Sequence, residues 1–419
     1  MAASIHTVLA EFREAATSNR DLGDKFERLF ANFLKMDPQY QDRFSDVWMW
    51  SEWPGRGNQP DTGIDLVAQD RHTHELCAIQ CKFYDPAHRL EKSDLDSFFS
   101  TSGKHPFTSR IVVSTTDKWS KHAEELLTNQ QVQTNRIRVQ DLENSAVDWS
   151  QFSLKRPDLM KLRPKKTLRP HQSKALNAVM DGLATADRGK LIMACGTGKT
   201  FTALKIAEQF GAQSRERRML TAYPGKTIKE LEIADGLVVP GAESRILFLV
   251  PSIALLAQSL SEWTAESETP LHCFAVCSDT AVGKARDNED IRLHDLPFPA
   301  TTDARKLGLQ MASLAGGKPL TVVFSTYQSI ATISEAQAKF AAPAFDLVIC
   351  DEAHRTTGVT LAGNDESHFV KIHDGAYIKA AKRLYMTATP RIFADTARAR
   401  AEEAEAVVCS MDDPAVYGL

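Results

Sequence analysis

The sequence predicts an α/β protein in two parts: a mixed sheet with helices over residues 1–150, and a parallel sheet with helices over 168–419, joined by a basic linker at 151–167. Three observations predict it. From residue 168 onward β-rich runs alternate with helical stretches, and near-continuous apolar strands between helices are what a parallel sheet covered on both faces requires. The first 150 residues instead mix one strongly periodic helix with short strand-like runs. Between them KRPDLMKLRPKKTLR (155–169) carries Lys155, Arg156, Lys161, Arg163, Lys165, Lys166 and Arg169 against one acid, Asp158, with prolines at 157 and 164. Proline and charge density argue for an extended connector. It reads equally as a solvated link or as a stripe that touches phosphates.

In the front part Leu22, Phe26, Leu29, Phe30, Phe33 and Leu34 recur at helical spacing. Strand-like runs follow at GIDLVAQ (63–69), LCAIQCKF (76–83) and RIVVST (110–115), then a polar helix around 118–128 and a last run, RIRVQDL (136–142). The Trp-rich WMWSEWP (48–54) reads as core packing, with a DNA-facing surface as the other reading. In the back part the strands are KLIMA (190–194), ILFLVP (246–251), HCFAVC (272–277), LTVVFST (320–326), FDLVICD (345–351) and RLYMTA (383–388). Two polar stretches, 212–244 and 280–303, interrupt the rhythm and are expected to be surface insertions.

At ~100–200 residues per domain the length allows two to four domains. Lys plus Arg number 50 and Asp plus Glu 54, a net charge of −4. That excludes a uniformly basic nucleic-acid coat, so any DNA site must be a local patch. No apolar run reaches the ~18–20 residues of a membrane span, and the first twenty residues lack the basic-then-apolar order of a signal peptide. Seven cysteines in 419 residues argue against a disulfide scaffold. A cytoplasmic protein with no membrane partner is expected. The pairs Cys77/Cys81 and Cys273/Cys277 sit in apolar strands without a second pair nearby, so buried small hydrophobes account for them better than zinc. His72 and His74 flank a turn and should face water.

MACGTGKT (193–200) follows an apolar strand and opens a helix, the context that makes a phosphate-binding P-loop credible. Gly196 and Gly198, with Thr197 between them, let backbone N–H groups point at phosphate oxygens. Lys199 would neutralise the β and γ phosphates of ATP, and the Thr200 hydroxyl would ligate Mg²⁺. Met193 stands where the strict pattern asks for Gly. The second half of this site is FDLVICDEAH (345–354): Asp351, at a strand end, can hold the magnesium through water, and Glu352 can polarise the attacking water.

The front part carries Asp65 on one strand and Gln80-x-Lys82 on the next. By strand alternation Cys77, Ile79, Cys81 and Phe83 share an apolar face, while Ala78, Gln80 and Lys82 share the other. An acid meeting Gln-x-Lys can make a phosphodiesterase: Asp65 and an oxygen at Gln80 would bind Mg²⁺, and Lys82 would orient water and stabilise charge on the phosphate. A solvated edge strand would show the same residues. Asp61 reads as a turn residue or a further ligand.

These motifs carry a resemblance. LRPHQ (168–172), MACGTGKT, LFLVPSIALLAQ (247–258), FSTYQSI (324–330), DEAH (351–354) and TAT (387–389) resemble, in order, those of the first RecA-like domain of superfamily 2 helicases and translocases. The resemblance implies a RecA-like parallel-sheet P-loop domain, with Gln172 reading adenine and His354 in the ATP site. It also makes Ser252 and Thr326 DNA-phosphate contacts, although either could cap a helix. Asp65…Gln80-x-Lys82, with GDKFERLF (23–30), resembles the Mrr-like branch of the PD-(D/E)xK nucleases, where Glu27 would be an accessory metal ligand or an acid behind it. Together with WSEWPGR and YMTATPR the order resembles the N-terminal part of type ISP restriction-modification enzymes. That class implies Mg²⁺- and ATP-dependent cleavage of double-stranded DNA in a prokaryotic cell. It also implies downstream methyltransferase and target-recognition domains, which alone would use S-adenosylmethionine. The alternatives are a type I restriction motor subunit, an ATP-driven DNA remodeller with a non-cleaving nuclease-like domain, and an ATP-switched regulator. The family's second RecA-like domain, which carries an arginine finger, should begin where this sequence ends, and neither Arg391 nor Arg398 sits in a finger motif. The chain therefore reads as a fragment, expected to bind ATP but hydrolyse it poorly, because a lost finger can cost ~10³–10⁵ in turnover.

Overall fold

The structure is a computed structural model that describes residues 4–418, except 59, 61–62, 72, 129, 154–158, 229, 231–242, 279–291, 298, 314–318, 362–367 and 395–405. Asp61, His72, Lys155, Arg156 and Arg398 lie outside the described residues. The chain forms two units: Met1–Lys165 with Arg292–Pro299, and Lys166–Ile291 with Ala300–Leu419.

The first unit is built on a mixed sheet of β1 (Phe44–Met49), β2 (Leu66–Asp70), β3 (Leu76–Lys82), β4 (Phe107–Ser114) and β5 (Gln133–Ile137), in that order. β1, β2 and β3 pair antiparallel, while β3, β4 and β5 pair parallel. Against one face pack α1 (Ile5–Ala15) and α2 (Asn19–Met36). α2 starts at Ser18, whose hydroxyl accepts the Asp21 N–H, and it buries Phe26, Leu29, Phe30, Phe33 and Leu34. Burying each such side chain fully stabilises by ~1.5–3 kcal/mol. α1 repeats the pattern with Ile5, Val8, Leu9 and Phe12.

The other face covers a second core containing Trp50, Trp53, Val67, Ala78, Leu95, Phe98 and Trp119. The tryptophans at 50 and 53 are therefore core, in short 3₁₀ turns after β1. The run 136–142 is not one element: β5 stops at Ile137 because the Asp141 carboxylate takes the Arg138 N–H at 2.8 Å, and Val139–Asn144 turns helical. The described part of the 151–167 linker is extended but partly held. Leu162 pairs with Val147, Arg163 donates to the Ser145 carbonyl, and the Lys166 ammonium lies 3.0 Å from Glu262. Arg163 and Lys166 are thus engaged with protein groups rather than standing free as a phosphate stripe.

The second unit has an all-parallel sheet in the order β6 (Arg188–Ile192), β12 (Ala380–Thr387), β10 (Phe345–Cys350), β7 (Ser244–Val250), β9 (Leu320–Thr326), β8 (Leu271–Val276). β7, β9 and β10 are buried along nearly their whole length, as strands covered by helices on both faces must be. A separate ribbon pairs β11 (Gly358–Leu361) with β13 (Ala406–Cys409).

The stretch 212–244 is not simply an insertion. Its first part continues the helix Lys199–Ala222, with Met219 buried and Arg218 bonded to Glu243 and Asp346. Gly211 lets that helix approach the sheet, since a Cβ there would meet Leu320 Cδ1 at 2.9 Å. Within 280–303, residues 292–299 are not surface padding on the second unit but part of the first.

Candidate functional site

In the first unit the candidate residues gather at the ends of β2 and β3. Asp65 stands just before β2, its backbone fixed by bonds to Ile79 O (2.9 Å) and from Trp50 N–H (2.7 Å). The ladder runs Leu66↔Ile79 and Val67↔Ala78, so Asp65 comes opposite Gln80. Its carboxylate accepts the Cys81 N–H at 2.6 Å. Gln80 is 2% exposed and lies on a central strand, so the solvated-edge reading does not hold. Its Nε2 donates to Gly63 O at 3.0 Å, while its Oε1 is buried with no hydrogen-bond partner. An orphaned buried acceptor costs ~1–3 kcal/mol, and a carbonyl-type oxygen beside a carboxylate is the donor set that a hard divalent cation takes.

Lys82 closes β3 and is half-buried. Glu27 projects from α2, whose Phe26 ring meets Phe83 edge-on at 5.5 Å. Burial, then the charges of Asp65 and Glu27, push the Cys81 thiol well above its usual range, with Lys82 opposing. Asp65 thus lies opposite Gln80, with Lys82 two residues on at the strand end. No group of three His, Cys, Asp or Glu among the described residues is arranged to hold a metal ion. A cation here would rest on Asp65 and Gln80 Oε1 rather than on a carboxylate cluster.

Two positioning residues escaped the sequence reading. Gly63 has φ +81°, and a Cβ there would stand 2.7 Å from Ser97 Oγ and 3.5 Å from Gln80 Nε2. The signal was present as the Gly two residues before Asp65. Thr115 holds the strand end: its hydroxyl binds Tyr84 N–H (2.8 Å) and O (2.7 Å), and its N–H reaches Lys82 O. A threonine beyond a strand carries no comparable signal.

In the second unit the loop 193–198 joins β6 to the helix Lys199–Ala222, with Gly196 and Gly198 at φ +75° and +80°. These left-handed glycines turn the loop into the start of the helix, whose first N–H groups are the kind of donors that anions bind. The Lys199 ammonium lies 3.1 Å from Glu352 Oε1, joining the two motifs. Glu352 itself takes a left-handed backbone, φ +47°, unusual for a side-chain-bearing residue.

Asp351 is buried at the end of β10. Burial first, and then the Glu352 charge, raise its carboxyl to about 6, against the Glu352 N–H and Lys199. Tyr327 OH donates to Asp351 O at 2.8 Å. His354 Nδ1 lies 3.3 Å from Glu352 Oε2 and 3.0 Å from Thr387 Oγ1, so the DEAH and TAT residues touch. Burial lowers the His354 pKa, with Arg355, Lys199 and Arg391 adding to it.

Gln172 bonds to backbone groups at both ends of its amide. Its Nε2 donates to Thr197 O at 3.0 Å and so braces the P-loop, while its Oε1 accepts the Arg169 N–H and caps the start of its own helix. A Cβ on Gly198 would stand 2.5 Å from that Nε2. Ser252 caps the helix Ile253–Glu266 by accepting from Leu255 N–H. Thr326 is buried and bonded to Ser329, which removes it from a DNA surface. Thr200 O accepts from Trp263 Nε1 at 3.0 Å. Cys77 and Cys81 lie in β3 and Cys273 in β8, with Cys277 buried just beyond that strand.

Comparison with known proteins adds to this geometry. A restriction endonuclease family matches residues 35–159, and the family described as type III restriction enzyme, res subunit, matches 165–392. The ATP-dependent type ISP restriction-modification enzyme LlaBIII bound to DNA is 35% identical, with a TM-score of 0.76 over 99% of this chain and 24% of that one. A nuclease-deletion mutant of the type ISP enzyme LlaGI, in complex with a DNA substrate mimic, is also 35% identical, over 60% of this chain and 19% of that one, with a TM-score of 0.41. This chain thus spans about a quarter of the length of the first relative. No curated protein matches the sequence.

Proposed function

From the chain's membership of the type III restriction enzyme res-subunit family, with a restriction endonuclease domain ahead of that motor, we propose that it is the cutting and first motor part of an ATP-dependent restriction enzyme of the type ISP kind, acting on duplex DNA. The observation that carries the cutting half is the buried, unpartnered Gln80 Oε1 opposite Asp65. When bound, Mg²⁺ supplies charge stabilisation and a water nucleophile. Asp65 and Gln80 hold it, Lys82 orients water and stabilises the phosphate, and Glu27 supports the site from α2.

In the motor half Gly196, Thr197, Gly198 and Lys199 cradle the phosphates, Thr200 and Asp351 hold the accompanying magnesium, and Glu352 polarises the water. Lys199 lies 3.1 Å from Glu352 and is placed to exchange that partner for phosphate oxygens. Slow ATP turnover by these 419 residues is part of the same reading. The two halves would couple ATP-driven translocation to cleavage.

The test is plasmid cleavage with ATP and Mg²⁺, comparing wild type, Lys82→Ala and Lys199→Ala. Cleavage is expected to vanish in Lys82→Ala, while Lys199→Ala loses nucleotide binding and any ATP dependence. A plasmid cut equally by wild type and Lys82→Ala refutes the assignment. A plasmid left uncut by both under every condition favours the remodeller reading.

A further inference from the structure

The stretch Arg292–Pro299 belongs by sequence to the motor half and by packing to the first unit. It arises between β8 and the helix Ala304–Ser313, and its base is closed on β8, where Thr301 bridges Val276 and donates to Ala275 O at 2.9 Å. β8 is an edge strand of the motor sheet, and β5, which the stretch meets, is an edge strand of the first sheet.

The contact is built from buried polar groups. Arg136 on β5 donates from Nε to Asp295 Oδ1 at 2.8 Å, from Nη2 to the same oxygen, and from Nη1 to Glu124 on the helix Lys121–Leu126. Its guanidinium lies over the Trp119 ring at 5.0 Å. The Asp295 side chain is 0% exposed and that of Arg136 7%. Beside them Asn135 Nδ2 donates to Leu296 O at 2.9 Å, Leu296 is fully buried, and His294 Nε2 lies 3.7 Å from Glu124.

We propose that Arg292–Pro299 is a docking strap: a piece of the motor's sequence that completes the first unit by covering the β5 edge and neutralising Arg136 with Asp295. An uncovered edge strand is a liability that folds manage by covering it, and a buried guanidinium that loses the more buried of its two carboxylates is destabilised. The chain therefore passes between the units at 165/166, 291/292 and 299/300 rather than through one linker. The motor half is thus needed to finish the nuclease half. This inference does not depend on whether the first unit cuts DNA.

The test is hydrogen exchange on the whole chain, comparing wild type, Asp295→Ala, and the apolar pair Arg136→Met with Asp295→Leu. In Asp295→Ala, β5 and residues 292–297 are expected to lose protection together by ~tenfold or more, with the P-loop helix unchanged. The apolar pair should restore both, because a matched apolar replacement can stand in for a buried ion pair. If Asp295→Ala does not fold, Glu124→Gln, at a side chain 28% exposed, reads the same joint loosening at ~threefold. Protection of β5 that is unaffected while the strap loosens, or that no apolar pair restores, overturns the proposal.

Discussion

Replacing Gly63 by alanine tests whether the first unit's site is held by its backbone. A left-handed φ of +81° costs a residue with a Cβ ~1–2 kcal/mol. The new Cβ would also stand 2.7 Å from Ser97 Oγ and 3.4 Å from Phe98 N. The hydroxyl can rotate away but the backbone nitrogen cannot, so the total is ~2–3 kcal/mol. A domain stable by ~5–15 kcal/mol survives that loss, and the melting temperature should fall by ~4–9 °C. Chemistry should suffer more. The Gly63 carbonyl is the acceptor that orients Gln80, so its displacement moves Oε1, and a shift of ~1 Å can cost ~10²-fold in rate. Gly57→Ala is the control, because φ is +57° there and nothing lies within 4 Å of the added Cβ. The assay is thermal unfolding beside Mg²⁺-dependent plasmid nicking for both variants. Loss of nicking in Gly63→Ala alone supports the reasoning. Equal nicking by both variants, or by Gly63→Ala and wild type, refutes it.

Two further outcomes follow from buried polar groups. Thr387→Val keeps the shape of a fully buried side chain but strips the hydroxyl from His354 Nδ1 (3.0 Å) and from Thr389 N–H (3.2 Å). We expect a loss of ~1–3 kcal/mol and faster amide exchange over 387–390, with fluorescent-ATP affinity within ~threefold of wild type; unchanged exchange would show the contact to be idle. Asp37 is buried, caps the turn 38–41 and accepts from Gln39 and Ala146 N–H, and burial raises its carboxyl to about 6. A raised folded pKa means that its contribution is fully present below ~3.8 and is lost as pH rises through about 6. The loss is on the order of 3 kcal/mol. Urea unfolding from pH 4 to 7.5 should therefore show a wild-type decline that Asp37→Asn lacks, and parallel curves for the two proteins would exclude this assignment.

Periodicity made the front helix legible: five of its six apolar positions, Phe26 through Leu34, are those that α2 buries. The back strands were legible because a parallel sheet buried on both faces needs unbroken apolar runs, as in FDLVIC. The joining of Lys199 to Glu352 was legible only as two motifs in order, since sequence cannot show a 3.1 Å contact across 153 residues. What stayed hidden has physical reasons. Asp141 ends β5 through one bond to the Arg138 N–H, which apolar pattern does not encode. Arg292–Pro299 looked like polar surface because its acid is paired with Arg136, a partner far away in sequence. The bonds of Gln172 to Thr197 O and to the Arg169 N–H were not legible, because both partners are backbone atoms. In each case a long-range or main-chain partner overrode a local signal.

The choice of glutamine at position 80 follows from the same geometry. The side chain is 2% exposed, lies opposite Asp65, and gives one end to a carbonyl. A glutamate there would bring a second buried carboxylate toward Asp65 and Glu27, whose charges already act on the Cys81 thiol. It would also set an anionic oxygen against Gly63 O, where only a donor can bond. Like charges sharing a buried site raise one another's pKa, so such a pair would tend to hold a proton. The amide avoids both conflicts: its nitrogen satisfies Gly63, and its oxygen presents an uncharged donor that needs no deprotonation. Asp65 then supplies the carboxylate of the pair, and it accepts the Cys81 N–H at 2.6 Å. An amide at this position thus suits a deeply buried residue on a central strand, while Lys82 stands at the half-exposed strand end.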